Sequence, residues 1–270
     1  MDTLFDRLVE RLKIYKKLCI AYSGGADSTL LLYAAVCALG KENLLAVNAK
    51  SLLVCGSDSL AAAQNAARLG VEPVTIELDV LAKLEVANNS PMRCYHCKYM
   101  ILSAIKQLSG SKGIFTISDG TNADDKTGYR PGMLAAQELG VVSPLKELGY
   151  TKAQVYADLG RLKLDFAARP SNSCLATRIP YNREIKPQEL EKIAKAEQLI
   201  LSLGVRMCRV RLDNNTARIE LDPQDFDLIL QHRQQLLRLG FDFITLDLAG
   251  YTSGCYDNDL LSECPKIPKP

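Results

Sequence analysis

No apolar run in this 270-residue chain is long enough to cross a bilayer. Neither sign of charge dominates, with 33 Lys and Arg against 31 Asp and Glu. A balance of +2 neither requires nor excludes a nucleic-acid partner, but there is no basic arm and no basic–aromatic cluster. The chain has no G-x-x-x-x-G-K-[ST] loop and no G-x-G-x-x-G, which sets aside the Walker A and dinucleotide fingerprints. Internal repeats and low-complexity segments are also absent. Residues 1–17 read as an amphipathic helix (Leu4, Phe5, Leu8, Val9, Leu12) interrupted by Asp6 and Glu10, not as a secretory leader. The expectation is a cytoplasmic protein with neither membrane nor nucleic acid as partner. In that compartment the nine cysteines do not read as a disulfide framework. Cys19 and Cys37 lie in apolar runs and Cys208 alternates with Val210, so all three are expected in the core. Cys55, Cys255 and Cys264 carry no assignment. Cys94, Cys97 and Cys174 remain.

What is present is organised around residues 19–29, Cys-Ile-Ala-Tyr-Ser-Gly-Gly-Ala-Asp-Ser-Thr. A buried strand runs into a Ser-Gly-Gly turn, and an apolar helix follows. Gly24 and Gly25 let the backbone approach a ligand closely. The unpaired N–H groups of the turn and first helical turn then face one concavity, which is an anion site. Ser23, Ser28 and Thr29 add hydroxyls, and Asp27 can cap the helix or hold a metal ion. A bare Gly-Gly turn with an ordinary N-cap would explain three residues; the strand before and the helix after favour phosphate binding.

Residues 1–170 alternate short strands with helices, the pattern of a parallel sheet with crossover helices. Five strands are expected, at 17–22, 44–48, 73–78, 113–118 and 141–142. The loop Asp119-Gly120-Thr121-Asn122-Ala123-Asp124-Asp125 follows the fourth. Ligands of such sheets bind beyond the strands' carboxyl ends, where this loop and the Ser-Gly-Gly turn both lie. A boundary near Pro170 separates residues 171–270, which read as a smaller α+β domain. There a helix at 187–203, strands at 206–212 and 216–221, one helix at 223–239 and a strand at 241–246 are expected.

Arg93-Cys94-Tyr95-His96-Cys97-Lys98 puts two soft thiols at a helix start. That suits zinc, an iron–sulfur cluster or a dithiol pair, although one C-x-x-C is half a tetrahedral site and two plain helix cysteines would read alike. Cys174 sits in a Ser-rich loop between Arg169 and Arg178, a setting that lowers a thiol pKa or simply holds an inert cysteine. Arg209 and Arg211 share one strand face. They read as a clamp for phosphate or carboxylate, or as a solvated face paired with acids.

Together these motifs resemble the LarE family within the PP-loop ATP pyrophosphatase superfamily. The resemblance rests on Ser-Gly-Gly-Ala-Asp-Ser (23–28), Arg-Cys-Tyr-His-Cys-Lys (93–98), Asp-Gly-Thr-Asn-Ala-Asp-Asp (119–125), Ser-Cys-Leu-Ala-Thr-Arg-Ile-Pro-Tyr (173–181) and Arg-Val-Arg (209–211). It implies a Rossmann-like, adenine nucleotide alpha hydrolase-like α/β domain. It also implies ATP-dependent sulfur transfer to a pyridinium dicarboxylate mononucleotide in nickel-pincer nucleotide biosynthesis. By the same resemblance, Ser23, Gly24, Gly25, Asp27, Ser28 and Asp125 serve ATP and Mg²⁺, with Arg178 also at the nucleotide site. Arg209 and Arg211 hold the substrate phosphate, and Glu197 lines the site. Family members with three cysteines carry a [4Fe–4S] cluster, implied here at Cys94, Cys97 and Cys174; others sacrifice the cysteine matching Cys174. Symmetric assemblies in the family imply a homo-oligomer. Asn182 stands where the family usually has glycine. The alternatives are a PP-loop tRNA thiolase, an amide-forming synthetase, and a nucleotide-binding module with a structural zinc.

Overall fold

The computed structural model describes residues 3–126, 130–168, 172–252 and 255–256. In chain order its elements begin with α1 (Leu4–Leu12), β1 (Leu18–Ala21), α2 (Ala26–Leu39), β2 (Leu44–Lys50), α3 (Gly56–Arg68) and β3 (Val74–Glu77). There follow α4 (Leu84–Ala87), α5 (Arg93–Ser111), β4 (Ile117–Asp119), α6 (Pro131–Glu138), α7 (Pro144–Glu147) and α8 (Lys152–Arg161). The last are α9 (Pro187–Ser202), β5 (Cys208–Asp213), β6 (Thr216–Leu221), α10 (Phe226–Gln231), α11 (Arg233–Leu237) and β7 (Phe243–Leu246). The chain forms two compact units. One is Met1–Val80 with Cys94–Asn172, and the other is Leu81–Arg93 with Ser173–Pro270.

The first unit is built on a parallel sheet of order β3-β2-β1-β4. Its central strand Leu-Cys-Ile-Ala has apolar side chains on both faces, as a strand covered on both sides requires. Leu18 and Ile20 pack with Leu8, Leu12, Leu30, Leu31, Val155 and Leu159. Cys19 faces the other way, among Val47, Leu102, Ile105 and Ile117. Capping boxes start α1 at Thr3 and α8 at Thr151. The expected fifth strand at 141–142 does not form. Val142 makes one parallel bridge to Ser118, with Val142 N–H donating to Ile117 O at 2.9 Å, and Pro144 then opens α7. Two residues before a proline are too short a run to extend the ladder. Cys37 is likewise corrected: it lies on the outward side of α2 and is exposed, whereas Cys19 and Cys208 are buried.

In the second unit β5 and β6 pair antiparallel and β7 adds parallel to β6. The hairpin turns at Asn214, whose φ of +50° is one that asparagine tolerates. Cys208, Val210 and Leu212 are buried with Ala217, Ile219 and Leu221, and α9 packs on β5. The single helix expected over 223–239 is broken at His232. The His232 ring Nδ1 lies 2.8 Å from Leu228 O, so the side chain competes for the carbonyl that would continue the ladder. Segment 81–93 is tied to this unit by backbone bonds, Ile185 N to Ala87 O at 2.7 Å and Asn182 N to Asn89 O at 3.0 Å. Asn182 has a φ of +61°. Asparagine is the usual non-glycine occupant of that region, so the departure from the family glycine keeps the turn.

Candidate functional site

The strand order reverses between β1 and β4, and loops leaving the carboxyl ends of those strands meet at that switch point. The Ser-Gly-Gly turn follows β1. Gly24 has a φ of +77°, and a Cβ there would lie 2.4 Å from Ala62, so both torsion and space demand glycine. A Cβ on Gly25 would meet only Ser23 Oγ, at 3.6 Å. No other described residue fills that position. Gly25 is the N-cap of α2, and no described side chain caps the helix. Asn48 Nδ2 donates to Tyr22 O at 2.8 Å and Asn65 Nδ2 to Gly24 O at 3.0 Å, fixing the turn from behind. Ser23 and Ser28 bond to each other through their hydroxyls at 3.1 Å.

Asp27 does not cap the helix. Its carboxylate accepts from Asn122 Nδ2 at 3.0 Å and pairs with Lys152 Nζ. The loop after β4 reaches the same helix end, where a Cβ on Gly120 would lie 2.8 Å from Ser28 N. Asp125 Oδ2 accepts from Asn122 N at 3.0 Å, with Arg130 3.6 Å from its other oxygen. Asp119 is buried and accepts from Lys98 Nζ at 2.8 Å and Ser143 Oγ at 2.7 Å. Burial pushes its carboxyl up, but Lys98 and the hydrogen bonds outweigh that and hold it below the usual value. Lys98 follows the two cysteines on α5. That helix begins at Arg93, which places Cys94 and Cys97 on its first turn, three apart on one side. Cys94 is exposed and Cys97 partly so. His96 packs edge-on against Tyr95, whose hydroxyl donates to Glu138 at 2.7 Å.

In the second unit Cys174 is the N-cap of a short 3₁₀ turn, Leu175–Arg178. Arg178 is fully buried and organises that turn. Its Nε and Nη2 donate to both oxygens of Glu197 at 2.8 and 3.0 Å. Its Nη1 donates to Ser173 Oγ at 2.7 Å, Thr177 Oγ1 at 2.8 Å and the carbonyls of Ser173 and Cys174. Arg178 therefore shapes the cysteine loop through its backbone, while Arg169 lies outside the described residues along with Pro170, Ser171 and Cys264. Glu197 also accepts from Val210 N at 2.9 Å. It stands in the apolar stripe of α9 beside Ile193, Ala196 and Ile200.

Arg209 and Arg211 are buried, not a solvated face. Arg209 donates to Cys208 O at 2.7 Å and lies over the Tyr251 ring. Burial first, then the like charge of Arg178, pull its guanidinium below the ordinary value. Arg211 donates to Glu220 at 3.0 Å and to Thr177 O at 2.6 Å. Burial lowers its pKa, but Glu220 outweighs burial and raises it overall.

Sequence reading missed Lys152, Asn65, Glu220 and Arg218. Lys152 was within reach, because Thr151-x-x-Gln154 is a capping-box pattern that puts residue 152 at the first position of a helix. The three candidate cluster cysteines have suitable donor chemistry, soft thiols with two on one turn. Among the described residues no group of three or more His, Cys, Asp or Glu is gathered to hold a metal. No described helix is long and apolar enough to cross a membrane.

A parallel sheet whose Ser-Gly-Gly turn opens a helix at the switch point makes the first unit an α/β protein with its candidate ligand site at the strands' carboxyl ends. No family model matches the chain. An uncharacterized protein of Synechocystis is 36% identical over 241 residues, 87% of this chain and 90% of its own length. The pyridinium-3,5-bisthiocarboxylic acid mononucleotide synthase of Lactiplantibacillus plantarum is 34% identical over 258 residues, 94% of this chain and 93% of its own length. An uncharacterized protein of Methanocaldococcus jannaschii is 29% identical over 254 residues, 93% of this chain and 96% of its own length. The chain belongs to the LarE family.

Proposed function

We propose that the protein is an ATP-dependent sulfurtransferase of nickel-pincer nucleotide biosynthesis, converting a carboxylate of a pyridinium dicarboxylate mononucleotide to a thiocarboxylate. The observation that carries this reading is the N-terminus of α2, where among the described residues only Ser23 Oγ comes near a Cβ built on Gly25 and no side chain caps the helix. That end suits the phosphates of ATP. Asp27 and Asp125 are the carboxylates that would serve Mg²⁺, and Lys152, paired with Asp27, supplies a cation beside that helix end. The substrate carboxylate attacks the α-phosphorus and pyrophosphate leaves. Sulfur then adds to the acyl carbon and AMP departs, its charge met by cationic side chains. Arg209 and Arg211 serve the substrate phosphate, and Glu197 holds Arg178 so that the Cys174 loop keeps its shape.

Cys94, Cys97 and Cys174 would hold a [4Fe–4S] cluster, which would supply the sulfur as sulfide. The sacrificial route, with Cys174 itself as the sulfur source, is the competing outcome. Pyrophosphate release that requires both ATP and the pyridinium dicarboxylate mononucleotide tests the reaction; release with neither substrate dependence nor a thiocarboxylate product by mass spectrometry would sink it. Anaerobic reconstitution with iron and sulfide separates the two sulfur sources. About four irons per chain, lost in Cys94→Ala, Cys97→Ala and Cys174→Ala, support the cluster.

A further inference from the structure

Within the first unit, the turn of α5 that carries Cys94 and Cys97 is joined to the connection that leaves β4 for α6. At the start of that connection Lys98 Nζ donates to Asp119 Oδ2 at 2.8 Å. Asp119 Oδ1 accepts in turn from Ser143 Oγ at 2.7 Å and from Thr121 N at 3.2 Å, so the carboxylate is held on both oxygens. Because Asp119 is buried, its charge-assisted bond to Lys98 is weakly screened by water. Gly120 comes next and packs on the first turn of α2, backbone against backbone: a Cβ there would lie 2.8 Å from Ser28 N and 3.2 Å from Asp27 C. At the far end of the connection Gly132 of α6 packs on the same cysteine turn. A Cβ on Gly132 would lie 3.3 Å from Lys98 Cδ and 3.4 Å from Cys94 O. The stem and the head of Lys98 therefore touch opposite ends of one connection, and that connection also rests on the N-terminus of α2.

We infer that Lys98 is a positioning residue: acting through Asp119 and Gly120, it couples the cysteine turn of α5 to nucleotide bound at the N-terminus of α2. This rests on the phosphate site proposed above and goes beyond it. A phosphate that accepts N–H groups at that helix end fixes the backbone of residues 27 and 28, against which Gly120 packs. The bond between Asp119 and Lys98 carries the restraint to the first turn of α5. Ordering one site then lowers the cost of ordering the other, and the effect is reciprocal. In a sulfurtransferase this sets a sequence of events, with the cysteine turn held in its final form once the nucleotide is in place.

The test is hydrogen exchange, read by mass spectrometry on the full chain with and without Mg²⁺ and a non-hydrolysable ATP analogue. In wild type the analogue should slow exchange about fivefold at residues 97–101, the first amides bonded within α5, as well as at residues 26–29 of α2. Lys98→Met should keep the protection at 26–29 and lose it at 97–101. Lys98→Arg, which keeps a donor for Asp119, should restore it. A purely structural lysine would leave Lys98→Met exchanging faster at 97–101 but still slowed by the analogue as in wild type, and that result overturns the coupling. So does a wild type protected at 26–29 and unchanged at 97–101, an outcome that needs no variant and leaves the phosphate site standing. A wild type protected at neither place sinks the phosphate site and the coupling together.

Discussion

The two halves of the candidate machinery are built from different materials. In the first unit the site is mostly backbone. A positive-φ glycine, a helix end that no described side chain caps and asparagines gripping carbonyls shape it. In the second unit it is buried charge. Arg178 with Glu197, and Arg211 with Glu220, are buried pairs, and the more exposed Arg218 also reaches Glu220. A backbone site can be left open at little cost, because solvent serves its N–H groups. A buried ion pair cannot lose one member without stranding the other.

That contrast sets the expected size of each perturbation. Glu197→Ala should cost most, about 4 kcal/mol, because Arg178 stays fully buried and uncompensated; chemical denaturation measures it, and a loss under about 1 kcal/mol would mean the second unit does not depend on its ion pairs. Gly24→Ala should cost about 3 kcal/mol, from the left-handed φ and the 2.4 Å approach to Ala62.

Asp119→Asn should cost about 2 kcal/mol, and its pH dependence carries a sign. The folded carboxyl is depressed, so its contribution is full above the unfolded value of about 3.9 and disappears as pH falls through the folded value. Melting curves of the two proteins should therefore converge in acid; a gap constant down to the lowest measurable pH would show that the charge on Asp119 does no stabilising. Gly25→Ala should change stability least, by under about 1 kcal/mol, yet weaken binding of a non-hydrolysable ATP analogue. Normal binding by that variant would remove the reason for reading the turn as a phosphate cradle.

The same contrast explains what could be read from the chain. The turn at 23–28 was legible because every residue that makes it lies within one strand–turn–helix, as were four of the five expected strands. The fifth failed because a two-residue apolar run has no local property that distinguishes one bridge from a ladder. Arg209 and Arg211 could be put on one strand face, but not inside the protein. Burial depends on Glu220 across the hairpin, on Thr177 and on Tyr251, none of which a period-two pattern registers. Glu197 left the clearest trace, a carboxylate in the apolar stripe of a helix. Asp27 was found, but not its Lys152 partner, which lies 125 residues away.

Segment 81–93 carries a consequence for the way the chain is made. Asn89 is fully buried, with its amide donating to Ile179 O at 3.0 Å and Pro180 O at 2.7 Å, partners 90 and 91 residues later. A ribosome adding roughly 5–20 residues each second reaches them about 5–20 s after Asn89. Through that interval the first unit is still acquiring its own later strands and helices, with a loop that belongs elsewhere spliced into it. The nascent protein therefore carries an unclaimed stretch of about a dozen residues, ending beside Cys94, that a chaperone or a protease meets before its own partner does.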